Sequence, residues 1–290
     1  MLLRIISIVF PIFLVVIIGV FYGRKHRPEM VAANRLNMEV FLPALIFTAL
    51  AGKSFALTDN MPSIVGSLVI VIGSGLLSWP VARAMGFNPK TLVPPTMFNN
   101  VGNMGLPLML LTFGDQALGA AVVLMLIATL LQFVLYPWMI NGNSPLATVW
   151  REPFILAAAL GVTVSLTGIT VWPPIMTACK ILGDISLGLM IFSLGVRLST
   201  AKLNAWSIGV TGAILTPVTG MITAWIFCEL VNIPRADQDI LFVFGALPPA
   251  VSNFIFAERY NQEPDKVASI VMIGNVMAIV FVPLALALRL

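Results

Sequence analysis

Apolar residues in this chain fall in long blocks and do not alternate. The blocks lie at roughly 5–22, 38–55, 62–84, 91–113, 116–140, 152–170, 175–197, 205–230, 237–258 and 265–288. A helix of about 20 apolar residues crosses a hydrocarbon core of about 30 Å. The pattern therefore predicts an all-α polytopic membrane protein with ten transmembrane helices joined by short polar links. The first block is not expected to be a cleaved signal peptide. It lacks a small-residue cleavage site, and "GRKHR" follows it directly.

Two blocks break their own pattern. "FNNVGNMGLPLM", Phe98–Met109, places amides, glycines and a proline inside the fourth. "GALPPAVSNFIF", Gly245–Phe256, does the same in the ninth. Proline removes a backbone donor and clashes with the preceding turn, so it breaks or kinks a helix. In hydrocarbon each unsatisfied backbone group costs several kcal/mol, so a broken helix must be enclosed by protein or line a wet cavity.

The breaks occupy corresponding places in two half-chains. "PIFLVVIIGV" from Pro11 resembles "PFILAAALGV" from Pro153 at an offset of 142. "EVFLPALIFTAL" from Glu39 resembles "DISLGLMIFSLG" from Asp184 at 145, and Pro137 matches Pro283 at 146. Five spans per repeat is an odd number, so the halves insert in opposite orientations. Paired broken helices in an inverted repeat point to a transporter's binding site. The register of the two breaks is open, because Pro94–Pro95 competes with other positions for alignment with Pro248–Pro249.

The candidate substrate-binding residues are therefore Asn99, Asn100, Gly102, Asn103, Gly105 and Pro107 in the fourth block. Pro248, Pro249, Ser252 and Asn253 in the ninth and Asn275 in the tenth join them. The amides can satisfy freed backbone groups, bind substrate, or both. Half-helix N-termini favour an anion such as a carboxylate without a buried cationic side chain.

Glu39 and Asp184 occupy matched positions near the starts of the second and seventh spans. They read as helix N-terminal caps or as proton- or ion-coupling acids. Thr129, the approximate repeat mate of Asn275, and Gln132 line the cavity or bond helix to helix. His26 reads as a solvated loop residue.

Composition narrows the class. Of 290 residues 59% are apolar and only 10% charged, against about 25% charged in ordinary soluble domains. The net charge of +4 comes without a basic stripe interleaved with aromatics, so no nucleic-acid partner is expected. Cys179 and Cys228 form no CxxC pair, and neither a metal site nor a cofactor is expected. A disulfide between them is conceivable, with two packing thiols the simpler reading. The positives set orientation. With "GRKHR" cytoplasmic, the inner side holds Arg24, Lys25, Arg27, Arg35, Arg83, Lys90, Arg151, Arg197, Lys202, Arg259 and Lys266. The outer side holds Arg4, Lys53, Lys180, Arg235 and Arg289. This excess obeys the positive-inside rule and predicts both termini outside.

The motifs "ANRLNMEVFLPALIF", "NVGNMGLPLML", "LGDISLGLMIFSLGV" and "ALPPAVSNFIFAERYNQEPDKVASIVMIGNVMA" resemble the auxin efflux carrier family, which includes the plant PIN carriers. The likeness runs in order over nearly the whole chain. It carries over at Asn100, Gly105, Pro107, Asp184, Pro248 and Tyr260, and departs at Asn99, Pro249 and Asn253.

The resemblance implies a 5+5 inverted repeat related to bile-acid symporters and sodium/proton antiporters, with helices 4 and 9 crossing at the site. It implies a scaffold from residues 1–57 and 142–203 and a mobile transport domain from 58–141 and 204–290. Only "NGNSPLATVW" joins spans 5 and 6, which suggests a compact prokaryotic member in a bacterial plasma membrane, with a homodimer through the scaffold conceivable.

The reading is a secondary transporter of a small organic anion, auxin-like or a dicarboxylate, working by elevator-type alternating access and not an enzyme. A sodium-coupled symporter of the bile-acid type is the alternative, and a membrane sensor or enzyme a more distant one. The driving ion, proton or sodium, stays open.

Overall fold

The computed structural model describes residues 2–52, 60–142, 150–199 and 204–289. Lys53 and Lys202 of the charge balance, and most of the link between spans 5 and 6, lie outside the described residues. Among those described the fold is all-helical, with a single isolated antiparallel bridge, Asn99 to Pro249, in place of any strand.

Helix α1 is Leu2–His26, and α2 is Val31–Leu36. A π-helical turn, Asn37–Phe41, leads from α2 into α3, Leu42–Ala51. Helix α4 is Met61–Ala84 and α5 is Pro89–Met97. After a second π-helical turn, Val101–Gly105, comes α6, Leu106–Phe113, and then α7, Leu118–Asn141. Helices α8 (Pro153–Thr167), α9 (Pro173–Ser199) and α10 (Trp206–Leu230) follow. The last three are α11 (Arg235–Gly245), α12 (Ser252–Arg259) and α13 (Pro264–Arg289).

Six stretches are long and apolar enough to cross a membrane: Leu3–His26, Met61–Ala84, Asp115–Asn141, Pro173–Ser199, Trp206–Leu230 and Pro264–Arg289. The chain is a multi-pass integral membrane protein. Its outward faces agree, since Phe10, Phe21, Leu76, Leu160 and Trp225 are exposed where lipid, not water, is the solvent.

Two sets of helices pack among themselves. Helix α1 lies along α9, α3 packs on α8, and α9 packs on α3. Helix α10 sits at the centre of the other set, against α4, α5, α11 and α13. The α1–α9 crossing is backbone on backbone. A Cβ on Gly195 would stand 2.9 Å from the Gly19 Cα and collide with the Val16 carbonyl. Small residues at such crossings let dispersion and close approach replace a hydrophobic drive that lipid does not supply. The two sets meet where α9 touches the π turn 101–105, α3 touches α7, and α1 touches α6 and α13.

Enclosure explains how α5 survives. Its sequence, PKTLVPPTM, is a poor membrane span, yet every residue from Thr91 to Met97 is buried. Thr96 Oγ1 donates to the Val93 carbonyl at 2.7 Å. At the start of the helix Thr91 Oγ1 donates to Glu263 at 2.5 Å, and Gln262 donates to Thr91 at 2.9 Å. Burial pushes the Glu263 carboxyl up, but hydrogen bonds from Lys266 and Thr91 outweigh it and hold the group below its ordinary value. This clasp ties α5 to the link between α12 and α13.

One expectation, for Glu39 and Asp184, needs correction. Glu39 and Asp184 are not helix N-terminal caps: Glu39 lies in a π turn between two helices, and Asp184 lies well inside α9. The sequence motif suggested starts there, but the helices begin earlier at Val31 and Pro173 because nothing in either preceding stretch stops them. Cys179 and Cys228 are free thiols and form no disulfide.

Candidate functional site

Segment 98–100 separates α5 from the π turn before α6, and segment 246–251 separates α11 from α12. They lie side by side and repair one another. Asn100 N donates to the Pro248 carbonyl at 2.7 Å, and Ala250 N donates to the Phe98 carbonyl at 2.8 Å. The antiparallel bridge of Asn99 and Pro249 sits between them. Pro94 and Pro95 are inside α5, away from the break, so Pro248–Pro249 faces 98–100.

Side-chain amides complete the repair. Asn99 Nδ2 donates to the Phe244 carbonyl at 2.9 Å. Asn253 Nδ2 donates to the carbonyls of Phe98 and Ala250, both at 3.0 Å. Asn275 Nδ2 donates to the Pro249 carbonyl at 3.0 Å, and its Oδ1 accepts from Asn100 Nδ2 at 2.8 Å. Gln132 Nε2 donates to Asn253 Oδ1 and Ser252 Oγ donates to Gln132 Oε1, each at 2.8 Å. Tyr136 OH reaches the Asn253 carbonyl at 3.1 Å. These amides close the backbone accounts that proline and the chain breaks leave open.

A cavity of about 490 Å³ borders these two segments. Of the residues expected at a site, Asn99, Asn100, Gly102, Asn103, Ser252, Thr129 and Gln132 line it. Gly105, Pro107, Pro248, Pro249, Asn253 and Asn275 do not; they are buried behind the lining. Asn103 is half-buried, and its amide bonds to no described residue. Glu39 is exposed and pairs with Arg35 at 2.8 Å. Asp184 lies with Lys180, Asn60, Asp115 and Gln116 in a separate cleft of about 330 Å³.

Helix termini supply the donors in the cavity. Met104 N and Gly105 N fold back on the Asn100 carbonyl, whereas the N–H groups of Gly102 and Asn103 have no described partner. On α12, Asn253 N and Phe254 N turn back onto Ala250 and Val251, and the N–H groups of Val251 and Ser252 are left without one. All four residues line the cavity. First-turn N–H groups of a helix carry its positive dipole end and suit an anion.

Sequence reasoning missed the rest of the lining. Arg35, Arg197 and Arg259 line the cavity, and no aspartate or glutamate does among the described residues. They come from α2, the end of α9 and the end of α12, far apart in sequence. Phe133, Phe154, Phe256, Met38, Met125 and Met190 supply an apolar wall. Asn37 and Ser193 also line it, each 5% exposed, and Asn37 Oδ1 and Ser193 Oγ have no hydrogen-bond partner among the described residues.

One prediction arises from the packing behind the lining. A Cβ on Gly274 would strike the Pro249 ring, with Cγ at 2.9 Å. Gly274→Ala is expected to push the break off α13 and destabilise the protein by about 1–3 kcal/mol, seen as a lower melting temperature in detergent. An unchanged melting temperature would mean that the break tolerates displacement.

The family model described as "Membrane transport protein" matches residues 143–286. The chain is 22% identical to the uncharacterized transporter YfdV of Escherichia coli K12, with 87% of each chain covered. It is 20% identical to the uncharacterized transporter MJ1031 of Methanocaldococcus jannaschii, with 96% of each covered.

Proposed function

We propose that the chain is a carrier of the auxin efflux type, in keeping with the membrane transport family model that residues 143–286 match, and that it moves a small organic anion across the membrane by alternating access. The four helical units outside the six long spans (31–51, 89–113, 153–167 and 235–259) complete ten crossings in two inverted groups of five. The scaffold is α1–α3 with α8 and α9. The transport domain is α4–α7 with α10–α13, and the broken helices α5/α6 and α11/α12 cross within it.

The observation that carries the anion reading is the cavity's charge. Two helix N-termini present four N–H groups at the crossing, three arginines stand around the same space, and no carboxylate lines it among the described residues. In such a confined site dipoles act more strongly than at a surface. The phenylalanine and methionine wall suits an acid with an apolar body.

The two clefts support alternating access. Lys180, Asp184 and Leu187 on α9 line one, and Met190, Ser193 and Arg197 line the other. At steps of three or four residues, these six share one face of one helix. A transport domain sliding along that face would carry the crossing from one cleft towards the other. The positive-inside count places the arginine end in the cytoplasm.

The test is thermal shift of the purified protein with matched acids and amides: phenylacetate and phenylacetamide, indole-3-acetate and indole-3-acetamide, succinate and succinamide. A ligand that binds only the folded state raises apparent stability. The acid is expected to bind one to two decades more tightly than its amide, because a hydrogen bond to a charged group is worth roughly 1.5–3 kcal/mol. Equal affinity within every pair, or a preference for cations, would remove the anion reading.

A further inference from the structure

Five buried side-chain atoms lack a hydrogen-bond partner among the described residues: Asn37 Oδ1, Ser63 Oγ, Ser186 Oγ, Ser193 Oγ and Asp239 Oδ1. Two of them, on Asn37 and Ser193, belong to residues that line the cavity. The other three residues do not line it. Asn37 opens the π-helical turn between α2 and α3, and Ser193 lies on α9. Neither belongs to the crossing helices.

A buried polar atom without a partner costs about 1–3 kcal/mol, and native proteins leave few of them. π-helical turns inside helices occur often at functional sites, because the extra residue re-aims a side chain. The amides of the crossing are engaged with backbone and with one another. Asn37 Oδ1 and Ser193 Oγ are the fully buried side-chain atoms of the lining that remain unengaged among the described residues, and they stand on elements other than those that carry Asn103 and the four N–H groups.

We infer that Asn37 and Ser193 are the scaffold-side half of the binding site, and that they read a hydrogen-bond donor on the substrate. The ligand class is an organic acid that carries an O–H or N–H group apart from its carboxylate. The carboxylate faces the helix N-termini of the crossing, and the donor meets the Asn37 carbonyl oxygen and the Ser193 hydroxyl. Asn37 Oδ1 can only accept, and Ser193 can accept while donating onward. A site with buried groups waiting for a donor discriminates strongly against the analogue that lacks it, since binding that analogue leaves them dry and unpaired. This inference rests on the anion reading above and adds a second determinant to it.

The experiment uses the intact purified protein and acids that differ by one donor: indole-3-acetate against benzofuran-3-acetate, 4-hydroxyphenylacetate against phenylacetate, and L-malate against succinate. Affinities come from thermal shift and competition. In the wild type the donor-bearing acid of at least one pair is expected to bind about three- to tenfold more tightly. Asn37→Leu and Ser193→Ala, made singly, should each shrink that preference.

The ligand-free proteins provide a second readout. Replacing an unpartnered polar atom by an apolar group of similar shape is neutral or stabilising, so neither variant should melt below the wild type. Either variant alone suffices if the other does not fold, and the wild-type comparison needs neither. Acids that bind better than their amides but show no donor preference would overturn this inference and leave the anion reading standing. A donor preference that survives both substitutions, with a lowered melting temperature, would assign Asn37 and Ser193 to packing and overturn it too. If no acid in the panel outbinds its amide, the anion reading fails and this inference falls with it.

Discussion

Asn253→Ala is expected to stop transport and to lower stability together. Asn253 is fully buried and its one amide makes three hydrogen bonds, to Phe98, Ala250 and Gln132. Alanine would leave Gln132 Nε2 without an acceptor, while the Phe98 and Ala250 carbonyls keep their backbone donors, Ala250 N and Asn253 N. A buried orphan costs about 1–3 kcal/mol in water-soluble proteins. Partners found in the membrane-unfolded state reduce that cost, so about 1–2 kcal/mol is expected for the substitution. The break at 246–251 would also lose its tie to 98–100, and the crossing would lose the geometry that presents its N–H groups.

Asn103→Ala supplies the contrast. Asn103 lines the cavity and its amide is unengaged, so its loss should leave the melting temperature unchanged while weakening binding of the acid probes. The measurements are melting in detergent and uptake of a labelled probe acid into proteoliposomes. Wild-type melting and wild-type uptake by Asn253→Ala would show that the crossing does not depend on its amides. A destabilised Asn103→Ala would show that this side chain, too, is structural.

Side-specific labelling should give an all-or-none result. In a background with Cys179→Ser and Cys228→Ser, a cysteine replacing Thr129 lies in the arginine-lined cavity, and one replacing Gln116 lies in the separate cleft that holds Asp184. Thr129→Cys is expected to react with an impermeant thiol reagent in inside-out vesicles and to resist it in right-side-out vesicles. Gln116→Cys should behave in the reverse manner. The acid probes should protect Thr129→Cys and leave Gln116→Cys reactive. Both cysteines reacting from one side would mean that the clefts do not open to opposite faces, and alternating access along α9 would lose its support. A clean reversal of the pattern would keep the two clefts and invert the orientation.

These expectations draw on different sources. The sequence by itself determined that the chain is helical and lives in a membrane, because block length and hydropathy are local properties. It also marked the two places where helices fail. Pro107, Pro248 and Pro249 remove donors wherever they stand, and amides gathered beside them announce that backbone groups need partners. The family likeness was legible for the same reason, since its motifs are short and contiguous.

What each amide does was not legible. Asn253 and Asn275 sit behind the lining with their hydrogen bonds taken, whereas Asn103, a few residues from Asn100, is unengaged. Only packing separates these roles, because the chemistry of the side chain is identical in all of them. Asp184 and Glu39 looked like helix starts because a motif begins there, but helix limits depend on the preceding residues. Arg35, Arg197 and Arg259 signalled only membrane orientation, and Asn37 and Ser193 carried no local signal. These residues line one cavity only because α2, the π turn after it, α9 and α12 come together there. Charge and hydrogen-bonding capacity are written in the sequence residue by residue. Whether a group is dry, paired or facing a cavity depends on neighbours more than a hundred residues away, and tertiary structure alone decides that.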